Sequence, residues 1–164
     1  MRRSVKPFAA TNKRLERTRN ERRCSRGNPG MSSTIEAEGT ICVGQEITIA
    51  SASPITKYAV VFEDDGETGY FYALDTSQEN SPILDASHIY NVSNVVDKDK
   101  PSLVQIVWSE DGLKAALWIN DYPHAVFDFA AKRGYCRTNF PDFRSSNEWS
   151  SFSKEWSDAA LELF

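Results

Sequence analysis

The sequence is poor in the residues from which disulfide frameworks, metal centres and membrane spans are built. Its 164 residues include three cysteines and two histidines, and no two cysteines have the C-x-x-C spacing of zinc and redox motifs. An odd number of cysteines argues against a disulfide framework and fits a reducing setting. No apolar run approaches the ~20 residues that a membrane-spanning helix needs. We therefore expect a soluble, cytoplasmic protein with no membrane segment.

Signatures of the common enzyme classes are missing as well. The chain contains no Walker loop, G-x-G-x-x-G, G-x-S-x-G or H-E-x-x-H. Those motifs position phosphates, dinucleotides, a nucleophilic serine or a catalytic zinc. The sequence therefore gives no positive sign of an enzyme, and we expect no cofactor and no metal site.

Charge is distributed very unevenly along the chain. Residues 1–30 carry ten basic and two acidic side chains, a net charge of +8, whereas residues 31–164 carry nine basic and twenty-one acidic ones, a net charge of −12. The overall charge of −4 conceals this division. A strongly acidic surface repels nucleic acid and steers cationic partners toward itself. For residues 31–164 we expect a cationic protein partner and no nucleic acid.

Residues 1–30 are expected to be a disordered basic extension, because they contain few large apolar residues and end in the turn-rich SRGNPG. They have no apolar segment of the secretory type. Four interpretations stay open: an arm that binds nucleic acid, an organelle transit peptide, a basic tail that folds back on the acidic domain, and a stretch upstream of a true start at Met31. The last is favoured, because the sequence after Met31 resembles an ordinary domain start.

From about Ile41 onward, short apolar and β-branched runs alternate with turn residues, which predicts β-strands. KYAVVFE (57–63) and YFYALD (70–75) are apolar at both parities, as central strands of a sheet are. Four further runs between residues 103 and 140 are separated by short turns such as Asp111-Gly112, which predicts an antiparallel meander. We expect about seven or eight strands in one globular domain, residues 31–164.

The closing segment EWSSFSKEWSDAALELF (148–164) places large apolar residues at three- and four-residue steps. That period predicts an amphipathic helix, which must bury its apolar stripe against the sheet. The predicted fold class is therefore α+β, a mostly antiparallel sheet with a C-terminal amphipathic helix packed on it.

The segment EDDGETG (63–69) concentrates four carboxylates in five positions. A calcium loop of the helix-loop-helix type needs alternating ligands and a glutamate six residues after its glycine. Here Asp64 and Asp65 are adjacent, and the flanking segments read as strands. We therefore expect a solvated hairpin tip, with Gly66 or Gly69 at positive φ, in preference to a cation site.

Candidate binding residues lie near the end of the predicted meander. His124 and Asp128 are four residues apart on one strand and so share a face, and Cys136 could complete a Cys–His–Asp arrangement. KRGYCRTNF (132–140) sets basic residues beside aromatics, as anion- and base-binding sites do. Structural roles, such as a solvated turn and an ion pair between Arg137 and Asp128, are favoured over both. No catalytic residue is assigned, and the candidate binding residues are His124, Asp128, Arg133, Tyr135 and Arg137.

Three unbroken blocks carry a resemblance to a known family: YAVVFEDDGETGYFYALD, ILDASHIYNV and QIVWSEDGLKAALWINDYPHAVFDFAAKRGYCRTNFP. With the closing EWSDAALELF, the chain from about Gly44 to Phe164 resembles the bacterial domain of unknown function numbered 2251. Family members typically begin near Met31, which implies that residues 1–30 are an upstream mis-start or a lineage-specific addition. The resemblance implies a small, soluble bacterial protein and assigns no activity, cofactor or catalytic residue.

Two functions stay open. A non-enzymatic binding module, such as a protein of the immunity type that neutralises basic toxins, fits the acidic charge and the aromatic residues at strand ends and in loops. The alternative is a small-ligand-binding protein or enzyme with a pocket near His124, Asp128, Cys136 and Arg137. The two hypotheses differ in whether those side chains converge in one cavity.

Overall fold

The computed structural model describes residues 34–80, 82–138, 140, 148–151, 153–162 and 164, which form a β-sandwich of two antiparallel sheets. Three 3-10 turns, Val92–Asn94, Glu148–Ser151 and Asp158–Leu161, complete the regular structure of these residues. The strands are β1 (Thr34–Ile41), β2 (Ile47–Ala52), β3 (Tyr58–Asp64), β4 (Thr68–Asp75), β5 (Ile83–Asn91), β6 (Ser102–Trp108), β7 (Lys114–Ile119), β8 (Tyr122–Asp128) and β9 (Arg133–Cys136).

One sheet has five strands in the order β1-β6-β7-β8-β9, and the other has four in the order β2-β3-β4-β5. Every neighbouring pair is antiparallel. The edge strands β1 and β2 lie beside each other although they belong to different sheets, and so do β5 and β9. The two sheets therefore meet at both margins, which leaves little free strand edge for unwanted pairing.

Inward-facing side chains of the two sheets form the main core. Val60, Phe62, Phe71 and Phe127 are fully buried there. The rings of Phe71 and Phe127 stack between the sheets, with centroids 5.0 Å apart. Burying one such side chain contributes about 1.5–3 kcal/mol, so this apolar layer holds the sheets together.

Several tight turns lie where the sequence predicts them. Gly66 and Gly112 adopt φ values of 90° and 66° at the tips of the β3–β4 and β6–β7 hairpins. A Cβ on Gly112 would lie 2.4 Å from the Ser53 Oγ, so a glycine is also needed there for close packing. Asn120 and Asp121, between β7 and β8, have φ values of 52° and 62°, as a two-residue type I′ turn requires.

The predicted α+β fold class is wrong. The described residues form two sheets and contain no helix of seven or more residues. Trp149 belongs to the main core, whereas Trp156 packs on the opposite side of the five-stranded sheet. One helix packed on a single face could not serve both sides, so the chain passes from one to the other in an extended segment. Phe152 and Leu163, two further apolar residues of the expected helix, lie outside the described residues.

The strand predictions succeed best where turns are short. The antiparallel meander is confirmed as β6-β7-β8-β9, and β3 and β4 are central in their sheet, as their apolar pattern predicts. The segment ICVGQEITIA (41–50), where the predicted strands begin, contains the end of β1, a turn with Gly44 at φ 91°, and the start of β2. The predicted basic extension, residues 1–30, lies outside the described residues. Among the residues described, no helix has the length and apolar character to cross a membrane.

Candidate functional site

The structure places the five predicted binding residues on one face but not in one cluster. Val126 pairs with Tyr135, and Asp128 with Arg133, in the β8–β9 ladder. Because side chains alternate along a strand, His124, Asp128, Arg133, Tyr135 and Arg137 all lie on the outer face of the five-stranded sheet.

Cys136 lies on the opposite face from His124 and Asp128. Its side chain belongs to the main core, where the Sγ atom is 3.7 Å from the His88 carbonyl oxygen and 3.0 Å from the Thr138 hydroxyl oxygen. The sheet itself separates this thiol from the imidazole. The Cys–His–Asp arrangement considered from the sequence therefore does not form.

The outer face of the five-stranded sheet is covered by the chain's own C-terminus. The described residues of the segment 153–164, called here the C-terminal strap, run across β7, β8 and β9. Ala116 and Val126 of the sheet are fully buried beneath it. A second, smaller apolar cluster results, which also includes Trp118, Tyr135, Trp156, Ala160, Leu161 and Phe164.

Arg137 fastens the strap to this face. Its guanidinium lies over the rings of Trp156 and Tyr122, 3.9 Å and 4.6 Å from their centroids. The Arg137 Nε donates to the Pro123 carbonyl at 2.6 Å. Trp156 in turn donates its indole N–H to Asp158 at 2.8 Å. Cation–π contacts of this kind contribute about 0.5–2 kcal/mol each, so Arg137 stabilises the packing of the strap on β8.

The other predicted residues also make contacts on the outer face of the five-stranded sheet, called here the covered face. Asp128 forms an ion pair with Lys114, at 3.7 Å, and not with Arg137. The Arg133 guanidinium lies over the Tyr135 ring, 4.7 Å from its centroid. Burial and the nearby Arg137 charge lower the pKa of His124 below its ordinary value of 6.5. Each of these predicted binding residues therefore has contacts that stabilise the fold.

A buried ion pair anchors the strap at the sandwich margin between β5 and β9. The Lys154 Nζ lies 2.7 Å from the Asp85 Oδ1, and the two side chains are 9% and 2% exposed. The same ammonium donates to the Ala86 carbonyl, and the Lys154 carbonyl accepts the Cys136 N–H at 2.9 Å. Sequence reasoning missed this pair, because nothing local to either residue indicates that its partner is so distant in the chain.

The acidic EDDGETG tip is organised around one buried carboxylate. Asp64 is 1% exposed and accepts hydrogen bonds from the Gly44 N–H, the Gly66 N–H and the Tyr90 hydroxyl at 2.7–2.8 Å. Burial and the bond to Asp64 raise the pKa of Tyr90. Asp65 stays exposed and accepts the N–H groups of the turn. In the described part of the chain, no three His, Cys, Asp or Glu side chains are grouped to hold a metal ion.

The outer face of the four-stranded sheet has a different character. Its side chains are mostly small or aromatic, with one carboxylate, and most of them are exposed or half-buried. Such a composition is unusual for a solvent-facing sheet surface, where polar residues normally alternate with the buried ones. This surface, called here the aromatic face, comprises Thr48, Ala50, Ala52, Ala59, Val61, Glu63, Tyr70, Tyr72, Leu74, Ala86 and His88.

Four rings stack in a row on the aromatic face. Tyr72 stacks on Tyr70, with centroids 5.8 Å apart; Tyr70 stacks on His88 at 4.7 Å, and His88 on Phe140 at 3.9 Å. The interplanar angles are 14–17°, so the faces of neighbouring rings cover one another. The Tyr72 hydroxyl donates to Glu63 at 3.1 Å, and burial together with that carboxylate raises the pKa of Tyr72.

Fold and surface thus define an antiparallel β-sandwich with one self-covered outer face and one aromatic outer face. The chain matches the family described as "Uncharacterized protein conserved in bacteria (DUF2251)" over residues 41–164 and belongs to that family, which confirms the resemblance seen in the sequence. A Haemophilus influenzae protein named "Uncharacterized protein" is 49% identical over 92 residues, covering 56% of this chain and 57% of that relative. The match therefore spans less than two thirds of that relative's length. No solved structure matches the chain significantly.

Proposed function

We propose that this protein is a non-enzymatic binding module whose partner is a cationic protein. The observation that carries the proposal is that acidic side chains greatly outnumber basic ones, and that most basic ones pair within the chain. The described residues include eight lysines and arginines and twenty aspartates and glutamates. Six of the eight basic side chains form ion pairs with acidic groups of the same chain.

The acidic excess is therefore what this domain presents to other molecules. Among the described residues, acidic side chains outnumber basic ones by twelve, twenty against eight. Arg133 lies over Tyr135 on the covered face. A field of this sign raises the association rate of a cationic protein, by an amount that falls steeply with ionic strength. A basic toxin neutralised by an immunity-type domain is one partner of this chemistry.

The alternative, a ligand pocket near His124, has less support. Cys136 faces the core, Asp128 pairs with Lys114, and Arg137 is held by the strap. Each of these groups therefore has a structural role of its own, and no group among them is poised against another for acid–base or nucleophilic chemistry.

The test is co-purification from a bacterium that carries the protein, followed by binding measurements with the purified partner. We expect a partner with an isoelectric point above about 9, as for other strongly basic binding proteins. Its affinity for the full chain should fall at least about tenfold between 50 and 300 mM salt, since exposed charges are screened over that range. A partner that is acidic, or one whose affinity does not change with salt, would overturn the proposal.

A further inference from the structure

The aromatic face has the properties of a docking surface. Ala50 and Ala52 are exposed, and Val61, Tyr70 and Tyr72 are half-buried. Four strands about 4.8 Å apart and about six residues long present roughly 400 Å². Exposed apolar side chains grouped on one face of a few hundred Å² frequently mark an interaction site. The stacked rings are also held in place by one another, so a partner that covers them would lose little side-chain entropy.

The rim of this face is acidic. Glu63 lies on the face itself, and the β3–β4 turn at its end adds Asp65 and Glu67. Glu46 adjoins the same turn, where its Cγ lies 3.8 Å from the position of a Cβ on Gly66. Each of Glu46, Asp65 and Glu67 is exposed. A partner seated on the aromatic face therefore meets carboxylates at its border.

From these two observations we infer that the cationic partner binds on the aromatic face, with an apolar surface on the rings and lysines or arginines against the acidic rim. This inference rests on the proposed function and specifies its site. A stable interface buries about 800 Å² on each partner, roughly twice the area of the whole aromatic face, so the rim must take part in the contact. A second copy of the chain fits poorly, because it would bring the same carboxylates against each other.

Two synthetic peptides of about ten residues, long enough to span a strand of the sheet, test the inference. In one, arginine alternates with leucine; in the other, of equal charge, serine replaces leucine. NMR titration of the full chain at low salt should show shifts concentrated on β2, β3 and β4 with the leucine peptide. That peptide should bind at least about tenfold more tightly than the serine peptide, since only it buries apolar area on the face.

Two matched variants locate the contact. Ala50→Gln adds a neutral, bulky side chain to the aromatic face, and Ala159→Gln makes the same change at an exposed position of the strap. Ala50→Gln should abolish the preference for the leucine peptide, whereas Ala159→Gln should leave it unchanged. Thermal unfolding of both variants checks that the fold is intact.

The outcomes separate the site from the function. Equal binding of both peptides, with shifts scattered over the acidic loops, would keep the cationic partner and overturn the aromatic face as its site. Shifts concentrated on the strap and the five-stranded sheet would do the same. Failure of both peptides to bind at low salt would count against the proposed function itself.

Discussion

The two outer faces of this sandwich start from similar strands and are completed in opposite ways. On the five-stranded sheet, apolar residues such as Val126 are buried by the chain's own C-terminal strap. On the four-stranded sheet, apolar residues such as Val61 stay half-exposed beside a row of stacked rings. A sheet face that is apolar needs a cover, and here one face has its cover within the chain.

The two outer faces also differ in the sign of the charged residues that they carry. Lys114, Arg133 and Arg137 lie on the covered face, where each has a partner that holds the sheet or the strap. The aromatic face has Glu63 and an acidic rim instead. The comparison teaches that basic side chains on the covered face hold the sheet and the strap together, whereas the exposed charges around the aromatic face are acidic.

The largest expected effect comes from breaking the anchor of the covered face. Lys154→Met keeps the aliphatic stem but removes the ammonium beside a carboxylate that is 2% exposed. We expect a loss of about 3–5 kcal/mol in the free energy of unfolding, measured by urea denaturation, because the substitution removes one partner of a buried ion pair. Lys100→Met is the matched control; its pair with Asp97 is exposed, so the loss should stay within about 1 kcal/mol.

A double substitution separates the ion pair from the packing of the strap. Lys154→Met with Asp85→Leu removes both charges, and it should recover most of the stability lost in the single variant. If the double variant is as unstable as Lys154→Met, the lysine anchors the strap by its shape and its bond to the Ala86 carbonyl, and the buried ion pair is not what decides stability.

A smaller loss of stability is expected from ring removal, and it should differ between the covered face and the aromatic face. Trp156→Ala removes the ring that packs on Val126 and Arg137, and we expect it to cost about 2–4 kcal/mol. Tyr72→Ala removes a half-exposed ring of the aromatic face and should cost about 1 kcal/mol. Equal losses in chemical denaturation would mean that the aromatic face is as much a part of the fold as the covered one.

Parts of the fold formed by neighbours in sequence could be predicted. The meander β6 to β9 follows from apolar runs and turns such as Asp111-Gly112, whose conformations are decided locally. The split into two sheets could not be predicted in this way, because it depends on where distant strands pair. β1 was missed since it is an edge strand with several exposed polar residues, such as Glu36 and Glu38, and therefore lacks the pattern of a buried strand.

The C-terminal segment shows why the candidate site was predicted only in part. Its spacing of apolar residues fits a helix. However, Trp149 and Trp156 contact different faces of the five-stranded sheet, and the sequence of the segment does not indicate where that sheet lies. Serine, frequent in this segment, is also a weak helix former. The strand assignment did predict that His124 and Asp128 share a face. Only the structure shows that this face is occupied by the strap, and that the rings of Tyr70, Tyr72 and His88 stack on the other.

The smallest expected effect is a pH dependence of the covered face. Burial and the charge of Arg137 lower the pKa of His124 in the folded chain. Below about pH 6.5 the unfolded chain therefore binds a proton that the folded chain resists, and the free energy of unfolding falls as the pH falls. Denaturation at pH 7 and pH 5.5 should show this loss, and His124→Asn should reduce it.

An NMR titration of the His124 ring completes that test. Its midpoint should lie below 6.5 in the native chain and should move toward 6.5 in Trp156→Ala, because a loosened strap lets water reach the covered face. Other groups near the ring are Tyr122, Arg137 and Asp158. If the titration midpoint of His124 is the same in Trp156→Ala as in the native chain, the sheet alone, and not the strap, determines the environment of this histidine.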